Sequence, residues 1–344
     1  MLTNNQLIEI RDQLETSQNP LFFYDNDVDG LCSFLILRRA LGRGKGVTIK
    51  SFPDLGKQYT KKIDELNPDA IIILDKADLS PEFVDYAEEK GIPILWIDHH
   101  ETKTPKETIQ KTSYFTSYPS AEPTSYIAQK IFNRPQDIWL ATIGCIGDVY
   151  MPDFAKKFSQ ENPDLLPKNL DAFTALQTTT LGKIARKLNF GLMDTTTNIL
   201  YLIKYMLKST TPYDLLEENS ETKQFHKRSG QLEEFYQKQI EKAESHFKKE
   251  SPTLFFVYAG NTSMSSDISN RLAFNHPDKL IIVAFLRPEK ANISVRGKDA
   301  LKITKAATKD ILGATGGGHE QATGAMVPIS DFEKFKSNIL HLTQ

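Results

Sequence analysis

The stretch IPILWIDHHET, residues 92–102, decides the fold class, because an apolar run ends abruptly in one carboxylate and two imidazoles. The apolar part predicts a buried strand. Asp98, His99 and His100 follow it side by side. Such a triplet also has an ordinary interpretation, since Asp often caps a helix or a turn and paired His residues often lie in a solvated loop. The rest of the sequence must therefore show whether these residues form a functional site or an ordinary turn.

Three earlier apolar runs alternate with helical patterns and extend the strand prediction. The runs are LFFY at 21–24, VTIKSF at 47–52 and AIIIL at 70–74. The helical patterns are LCSFLILRRAL at 31–41 and SPEFVDYAEEKG at 80–91, the second with Ser80 as N-cap, Pro81 at the first helical position and Gly91 as the stop. Two more helices are expected at 121–132 and 137–146. This alternation indicates an α/β fold with a parallel sheet covered on both faces.

The remainder of the chain predicts a helical connector and a second, smaller α/β domain. Strand signals vanish between 152 and 250, and the segment ends in QLEEFYQKQIEKAESHFKKE at 231–250, which is rich in helix formers. Strand patterns return in TLFFVY, KLIIVAFL and ANISVRG, and helical patterns lie at 265–274 and 331–342. We therefore expect a first domain over 1–210, a connector over 211–250 and a second domain over 251–344.

The composition is typical of a soluble globular protein, and we expect it in the cytoplasm. Charged residues make up 25% and hydrophobic residues 40% of the 344 residues, and no stretch approaches the ~20 apolar residues of a membrane helix. The polar start, MLTNNQLIEIRDQLE, predicts a helix rather than a signal peptide. Cys32 and Cys145 lie in apolar helical stretches and are expected to be reduced core residues.

The charge is nearly balanced, which argues against a protein that coats nucleic acid through general basicity. The net charge is −2. It divides into −5 over residues 1–250 and +3 over residues 251–344. The acidic part could therefore hold metal, and the mildly basic part could hold phosphate.

Carboxylates follow three of the predicted strands. Asp25 follows LFFY, Asp75 follows AIIIL and Asp98 follows the run that ends at Ile97. In an open parallel sheet the carboxyl ends of the strands share one edge, where ligands bind. We therefore expect these three side chains to converge.

The first of these positions carries three acids on alternate residues. The segment DNDVDG supplies Asp25, Asp27 and Asp29, and Gly30 ends it. A calcium loop of the EF-hand type needs a Glu at its twelfth position, where Ile36 stands, so calcium is disfavoured. A helix cap is the alternative, but a single Asp suffices for a cap. Three acids indicate a different function.

Asp148 is a further candidate, in ATIGCIGDVYMPD at residues 141–153. It ends a helical stretch, where the helix dipole disfavours an acid, and this suggests a compensating cation. Clustered carboxylates repel one another and raise one another's pKa values unless a cation neutralises them. Oxygen ligands with one His suit Mn²⁺, or Mg²⁺ with waters. Two ions ~3.5 to 4 Å apart could stabilise the attacking and leaving oxygens of a phosphoryl transfer.

Five motifs together resemble the DHH phosphoesterase superfamily. DNDVDG, ILDKAD, WIDHHE and GCIGDVYMPD resemble its four motifs in order and separation, and GATGGGHEQATGAMV at 313–327 resembles the glycine-rich signature of its DHHA1 domain. The superfamily includes RecJ-type single-strand exonucleases, nanoRNases, dinucleotide phosphodiesterases and a pyrophosphatase branch. The first motif begins with Asp, as in RecJ-like members, and the spacing resembles archaeal RecJ-like nucleases most.

The resemblance implies a role for each acid and imidazole. Asp25 and Asp27 would bind one Mn²⁺, Asp29, His99 and Asp148 would bind another, and Asp75 would bridge the two, with Mg²⁺ as a possible substitute. Asp98 would orient His99, and His100 would lie near the scissile phosphate. In the second domain Gly316, Gly317, Gly318 and His319 would approach substrate, and Arg296 would bind its phosphate. Further candidates there are Asn261, Ser265 and Arg271.

The expected function is therefore a two-metal phosphodiesterase that degrades single-stranded DNA or RNA, including short oligonucleotides, from an end. A nanoRNase or dinucleotide phosphodiesterase acting on pApA or cyclic dinucleotides is the first alternative. A replication-associated scaffold is the second, although every expected ligand is present. Expected partners are single-stranded nucleic acid and a replication or repair protein, with no membrane. The sequence leaves polarity and oligomeric state open.

Overall fold

The computed structural model describes residues 1–50 and 54–343 and divides into two compact units, Met1–Ser229 and Gly230–Gln344. The division falls inside a long helix, Lys223–Ser245. The α/β class with a helical segment before the second sheet is confirmed. The narrower domain limits given above stay a prediction.

The described residues of the first unit form seven strands and eleven helices, with a twelfth helix running into the second unit. The strands are β1 Pro20–Asp25, β2 Lys45–Ile49, β3 Asp54–Leu55, β4 Ala70–Leu74, β5 Asp78–Leu79, β6 Ile94–Asp98 and β7 Ser113–Thr116. The helices are α1 Asn4–Thr16, α2 Val28–Leu41, α3 Thr60–Leu66, α4 Pro81–Glu89, α5 Lys106–Ile109, α6 Thr124–Phe132, α7 Ile138–Gly147, α8 Ala155–Glu161, α9 Ala172–Thr178, α10 Thr180–Leu192, α11 Thr196–Met206 and α12 Lys223–Ser245.

Five of these strands form the predicted parallel sheet, in the order β2-β1-β4-β6-β7. The neighbouring strands β1, β4 and β6 therefore end at the same edge. The strand expected at 47–52 begins earlier and its described part ends at Ile49, while Ser51 and Phe52 lie outside the described residues. β7 was not predicted, because its sequence SYFT is short and only partly apolar.

Both faces of the parallel sheet are buried because helices pack against each of them. Successive side chains of each strand point to opposite faces and so join different cores. Phe22 and Tyr24 of β1 join one core, which includes residues of α1, α2, α6 and α7. Leu21 and Phe23 join the other core, with residues of α3 and α4. The continuous apolar runs of the central strands follow from this double burial.

The entrance to α2 brings two segments of backbone into contact. Asp27 is the N-cap, and its side chain accepts a hydrogen bond from Gly30 N at 2.9 Å. A Cβ added at Gly30 would lie 2.6 Å from the carbonyl oxygen of Asp25. Glycine is therefore required in the first turn of α2 by packing against the end of β1.

The described part of the second unit forms a mixed five-stranded sheet and three further helices. The strands are β8 Thr253–Ala259, β9 Leu280–Leu286, β10 Lys290–Arg296, β11 Thr315–His319 and β12 Ala322–Pro328, in the order β11-β12-β10-β9-β8. The helices are α13 Ser265–Asn275, α14 Ala300–Thr308 and α15 Phe332–Leu342. β8 pairs parallel with β9, and the other pairs are antiparallel. The three consecutive glycines of the glycine-rich signature lie in the edge strand β11. Neither this strand nor β12 and α14 was predicted from the sequence.

The two cysteines agree with the sequence-based expectation. Cys32 and Cys145 are free and buried. Among the described residues, no helix combines the length and the apolar character that crossing a membrane requires.

Replacing Gly30 with Ala should lower the free energy of unfolding by about 1 to 3 kcal/mol, since the new methyl group would meet fixed backbone of Asp25. Gly230→Ala is the matched control, because an added Cβ there would meet nothing within 4 Å. It should raise stability by about 0.5 to 1 kcal/mol. Denaturant unfolding followed by circular dichroism measures both, and equal stability of the two variants would contradict the packing argument.

Candidate metal centre

Asp75 lies at the centre of the acidic edge. It directly follows β4, its backbone N donates to Ile97 O at 3.0 Å, and its side chain is 1% exposed. Its φ of 58° is in the left-handed region, which is uncommon for a residue other than Gly. Thr124 Oγ1 donates to Asp75 Oδ1 at 3.4 Å. Strand pairing and a strained turn thus hold a buried carboxylate in one position.

The two imidazoles that follow β6 converge on this carboxylate. His99 Nε2 lies 3.2 Å from Asp75 Oδ1, and His100 Nδ1 lies 3.9 Å from the same oxygen. One ligand atom from each of the three residues lies within 4.8 Å of the others. Three potential metal ligands from two neighbouring strands therefore meet at one point.

Asp148 approaches the same group from a helix. It is the C-cap residue of α7, and its Oδ2 lies 3.5 Å from His99 Nε2. The next residue, Val149, has a φ of 56°, which is a strained conformation for a β-branched side chain. The predicted position of an acid at the negative end of a helix is observed.

Asp25 and Asp27 come from the other neighbouring strand. Asp25 is the last residue of β1, and Asp27 caps α2. Burial raises the pKa of Asp27 well above its ordinary value, and the charges of Asp75, Asp25 and Asp29 raise it further. The acids of DNDVDG therefore lie close enough to Asp75 to repel it.

Asp29 is held by the beginning of another helix. Its Oδ2 accepts from Thr124 N at 2.8 Å, and its Oδ1 accepts from Ser125 N at 3.0 Å and from Ser125 Oγ. No side chain caps α6 at its own N-cap residue, Pro123. Asp29 thus caps α6 from α2, where the helix dipole favours a carboxylate. Its expected role as a metal ligand stays a prediction.

Asp98 orients His100 rather than His99, which corrects the expected pairing. Asp98 Oδ1 lies 3.0 Å from His100 Nδ1, and Asp98 Oδ2 accepts from His100 N at 2.9 Å. Residues 98 and 100 are two apart, the spacing at which an Asp side chain bonds to the backbone of a following turn. This hydrogen bond, with the charges of His100 and His99, holds the pKa of Asp98 below its ordinary value although burial alone would raise it.

The pKa values of the central groups are shifted upwards, those of the carboxyl groups by burial and like charge and that of His100 by the opposite charges around it. Burial, with the charges of Asp29 and Asp148, raises the pKa of Asp75 well above its ordinary value. Burial, with the charges of Asp29 and Asp27, raises the pKa of Asp148 to about 7 even though His99 lowers it. Burial would lower the pKa of His100, but Asp98, Asp75 and Asp148 raise it to about 10. A nearby cation would favour the ionised form of both carboxyl groups and so oppose these shifts.

The residues present fit a hard divalent cation. Among the described residues, the buried His99 Nε2 has no hydrogen-bond partner, although it lies near two carboxylates. An imidazole nitrogen that faces carboxylates without bonding to them is typical of ligands around a common ion. Burial raises the pKa values of the Cys32 and Cys145 thiols well above their ordinary range, so neither supplies a thiolate. Oxygen and imidazole ligands suit Mn²⁺ or Mg²⁺.

Sequence reasoning missed Lys76, Thr124 and Ser125, which contact the acids of this site, and Trp96, which contacts Lys76. Lys76 is 4% exposed, and its Nζ lies 3.4 Å from Asp25 Oδ1. Trp96 Nε1 donates to Lys76 O at 2.8 Å and fixes its backbone. A lysine directly after Asp75 in ILDKAD was a readable signal. Thr124 and Ser125 gave a weaker signal. A Pro-Thr-Ser sequence is typical of a helix start, but it does not indicate which side chain would bond to that helix.

The candidate substrate residues of the second unit lie on β10 and β11. The guanidinium of Arg296 donates to Asn270 Oδ1 and Ser266 Oγ and to the carbonyl oxygens of Val295 and Thr323. Most of its donors are therefore used within the protein, and burial lowers its pKa to about 10. Of the other candidates, Ser265 is the first residue of α13, and its Oγ lies 3.3 Å from Tyr258 Oη. Arg271 lies within α13, and Asn261 lies in the segment before it.

The glycines of β11 have different surroundings. A Cβ added at Gly316 would lie 3.0 Å from Thr304 Cγ2 of α14, and one at Gly318 would lie 2.6 Å from Ala322 O. At Gly317 an added Cβ would meet nothing within 4 Å. His319, the last residue of β11, is exposed. Within this motif, Gly317 thus has open space beside it, and His319 presents an exposed side chain.

Comparisons with known proteins find a family similarity for part of the first unit. Residues 21–154 match the model of the DHH family, N-terminal domain. This range contains Asp25, Asp75, His99 and Asp148. The comparison with curated proteins found no match. This segment of the first unit is therefore similar to the N-terminal domain of the DHH family.

Solved structures share the fold of the whole chain. RecJ from Thermus thermophilus, in complex with Mn²⁺, has 16% identity and a TM-score of 0.69, with 99% of this chain and 55% of that chain covered. This chain thus spans about half the length of that protein. An exonuclease RecJ bound to manganese has 17% identity and a TM-score of 0.63, covering 98% and 94%. The DHH domain of a protein described as a member of a ribosomal protein family has 15% identity and a TM-score of 0.67, covering 98% and 90%.

The metal-free protein should lose stability as pH rises from about 4 to about 7. Over this interval the unfolded chain releases the Asp148 proton while the folded chain retains it, so the folded state binds more protons and is weakened as pH rises. Asp148→Asn should show a smaller loss. Thermal unfolding in EDTA across a pH series measures both, with Asp153→Asn as the control, since Asp153 is exposed and paired with Lys130. Parallel curves for Asp148→Asn and Asp153→Asn would contradict this assignment.

Proposed function

We propose that this protein is a metal-dependent phosphodiester hydrolase that removes nucleotides from an end of single-stranded DNA or RNA, including short oligonucleotides. The observation that carries the proposal is the convergence of Asp75, His99 and His100 within 4.8 Å, inside a matching DHH family domain. The manganese-bound RecJ structures with the same fold support it. Mn²⁺ is the proposed cation and Mg²⁺ the substitute.

The carboxylates and His99 would hold the cation, which on binding supplies charge stabilisation for phosphoryl transfer. Asp75 is the most central ligand candidate because strands β4 and β6 and helix α6 all fix it. Asp25, Asp27 and Asp148 surround it with further oxygens. Such a site is positioned by rigid elements rather than by a loop, which favours accurate ligand geometry.

His100 would contact the substrate phosphate. Asp98 binds its Nδ1 side, so the opposite ring nitrogen, Nε2, is the donor available to a phosphate oxygen. The ring is 36% exposed, whereas that of His99 is 8% exposed. A protonated imidazole held in one orientation by a buried carboxylate binds an anionic oxygen with a strong, directed hydrogen bond. On this proposal His99 binds the cation and His100 contacts the substrate.

Asp75→Asn should lower hydrolysis at least about 100-fold, the scale on which loss of one charge-stabilising group lowers kcat. The amide keeps the shape but removes the charge that holds the cation. The assay is degradation of end-labelled single-stranded DNA and RNA with Mn²⁺, Mg²⁺ or EDTA, and polarity is read from the labelled end. Asp153→Asn, an exposed acid, is the control. More than a tenth of wild-type turnover in Asp75→Asn would refute the assignment.

Substrate length distinguishes the proposed exonuclease from a nanoRNase or dinucleotide phosphodiesterase. A 25-mer and a 5-mer are compared with pApA and a cyclic dinucleotide under the same conditions. We expect both oligomers to be degraded stepwise. Hydrolysis of the dinucleotides alone would replace the exonuclease with the narrower enzyme, and absence of any hydrolysis with bound metal would favour a scaffold.

His319→Ala should raise KM for an oligonucleotide by about tenfold while leaving kcat on a small activated phosphodiester unchanged. An interaction made equally in the ground and transition states is lost as KM. His319 is exposed and follows the open Gly317, whereas Arg296 is engaged within the fold and its removal would also disturb packing. Steady-state kinetics on both substrates test this, with His341→Ala in α15 as the control. A fall in kcat on the small substrate would contradict the proposed role.

A further inference from the structure

A further polar cavity lies in the first unit, at the C-terminal end of α2. Its volume is about 270 Å³, and it is lined by Arg38, Arg39, Gly42, Arg134 and Leu207. Three of these five lining residues are arginines. The cavity has the opposite charge from the acidic site at the other end of the same helix.

One buried carboxylate holds two of the three arginines in place. Asp137 is fully buried, and its Oδ1 lies 2.6 Å from Arg39 Nε while its Oδ2 lies 3.0 Å from Arg134 Nε. Arg39 Nη1 also donates to the carbonyl oxygens of Met206 and Ser209. The lining includes three arginines and no acid, and Asp137, which pairs with two of them, neutralises at most one of their charges.

Among the three arginines of the cavity, Arg38 has the most unused hydrogen-bond donors. Its Nε donates to Gly44 O at 2.7 Å. Within the described part of the chain, its two terminal nitrogens have no protein partner. Gly42, which ends α2, has no side chain, and a Cβ there would meet nothing within 4 Å. The cavity is therefore open beside the guanidinium that has the most unused hydrogen-bonding capacity.

The cavity is separate from the metal centre. Asp27 caps α2 at one end, and Arg38 is eleven residues further along, which corresponds to roughly 17 Å at 1.5 Å per residue. Basic residues in a last helical turn have a structural explanation, since they stabilise the helix dipole and cap carbonyl groups. That explanation applies to Arg38 and Arg39, the basic residues of the last turn of α2, although both donate to carbonyl oxygens outside this helix. It does not account for the third arginine, Arg134, which approaches from a segment outside α2.

We propose that this cavity binds the phosphate groups of a small phosphorylated molecule such as a diphosphate or the diphosphate part of a nucleotide. Guanidinium forks bind phosphate oxygens in a bidentate manner, and groups fixed by a buried carboxylate lose little freedom on binding. The volume is below the range of pockets that enclose whole drug-sized ligands, so it suits the phosphates rather than the whole nucleotide. The bound molecule would act apart from the chemistry at the metal centre.

The test is isothermal titration of the full chain with inorganic diphosphate in EDTA, where no hydrolysis can interfere. Arg38→Gln should weaken binding at least about tenfold. Arg43→Gln is the matched control, since Arg43 follows the same helix but donates to Ser17 O and Glu15 O. Arg38→Lys, which keeps the charge but loses the fork, should bind with intermediate affinity. Thermal unfolding confirms that each variant is folded.

Three outcomes would overturn the proposal. They are absence of diphosphate binding to the wild type, equal binding by Arg38→Gln and Arg43→Gln, and displacement of diphosphate by an unphosphorylated single-stranded oligonucleotide at lower concentration than by ATP. The last result would assign the arginines to a nucleic-acid backbone instead. Because the experiment uses no metal and no turnover, its result is independent of the proposed hydrolase function.

Discussion

Carboxylates that end neighbouring strands of a buried parallel sheet repel one another, and the organisation of the first unit depends on how this repulsion is contained. The strand order puts the ends of β1, β4 and β6 side by side. Burial prevents water from screening the charges, which is why the pKa values of Asp27 and Asp75 rise well above their ordinary range. The fold tolerates this only because backbone contacts fix each acid. Gly30 packs on Asp25, and Asp75 N bonds to Ile97 O.

The protein supplies part of the compensating charge itself. Lys76 is almost fully buried and lies 3.4 Å from Asp25, and the charges of the surrounding acids raise the pKa of His100 to about 10. A buried ammonium is costly unless it is paired, so Lys76 and the acids stabilise each other. These two cationic side chains do not balance all the carboxylates of this edge. The remaining imbalance is the physical reason to propose a bound cation at this edge.

The sequence predicted the helices and strands that depend on local pattern, but not the side-chain contacts that depend on the tertiary structure. Continuous apolar runs predicted β1, β4 and β6, and Ser80 with Pro81 predicted the start of α4, because capping chemistry is local. The hydrogen bond between Asp98 and His100 could not be predicted from the sequence, since it depends on how the turn after β6 orients each imidazole ring. The strand β11 was missed because three glycines have low strand propensity, and pairing with β12 overrides it.

Asp29 shows how the limits of a sequence motif become visible once hydrogen bonds are counted. Its position in DNDVDG is equivalent by pattern to those of Asp25 and Asp27. An ionised carboxylate offers about four acceptor sites, and the start of α6 occupies three of those of Asp29. About one acceptor site of Asp29 remains unused, so Asp29 could bind a metal through a single oxygen only. The same three bonds tie α2 to α6, which carries Thr124 to Asp75. Asp29 therefore helps to position the Asp75 side chain, because it holds the helix that carries Thr124.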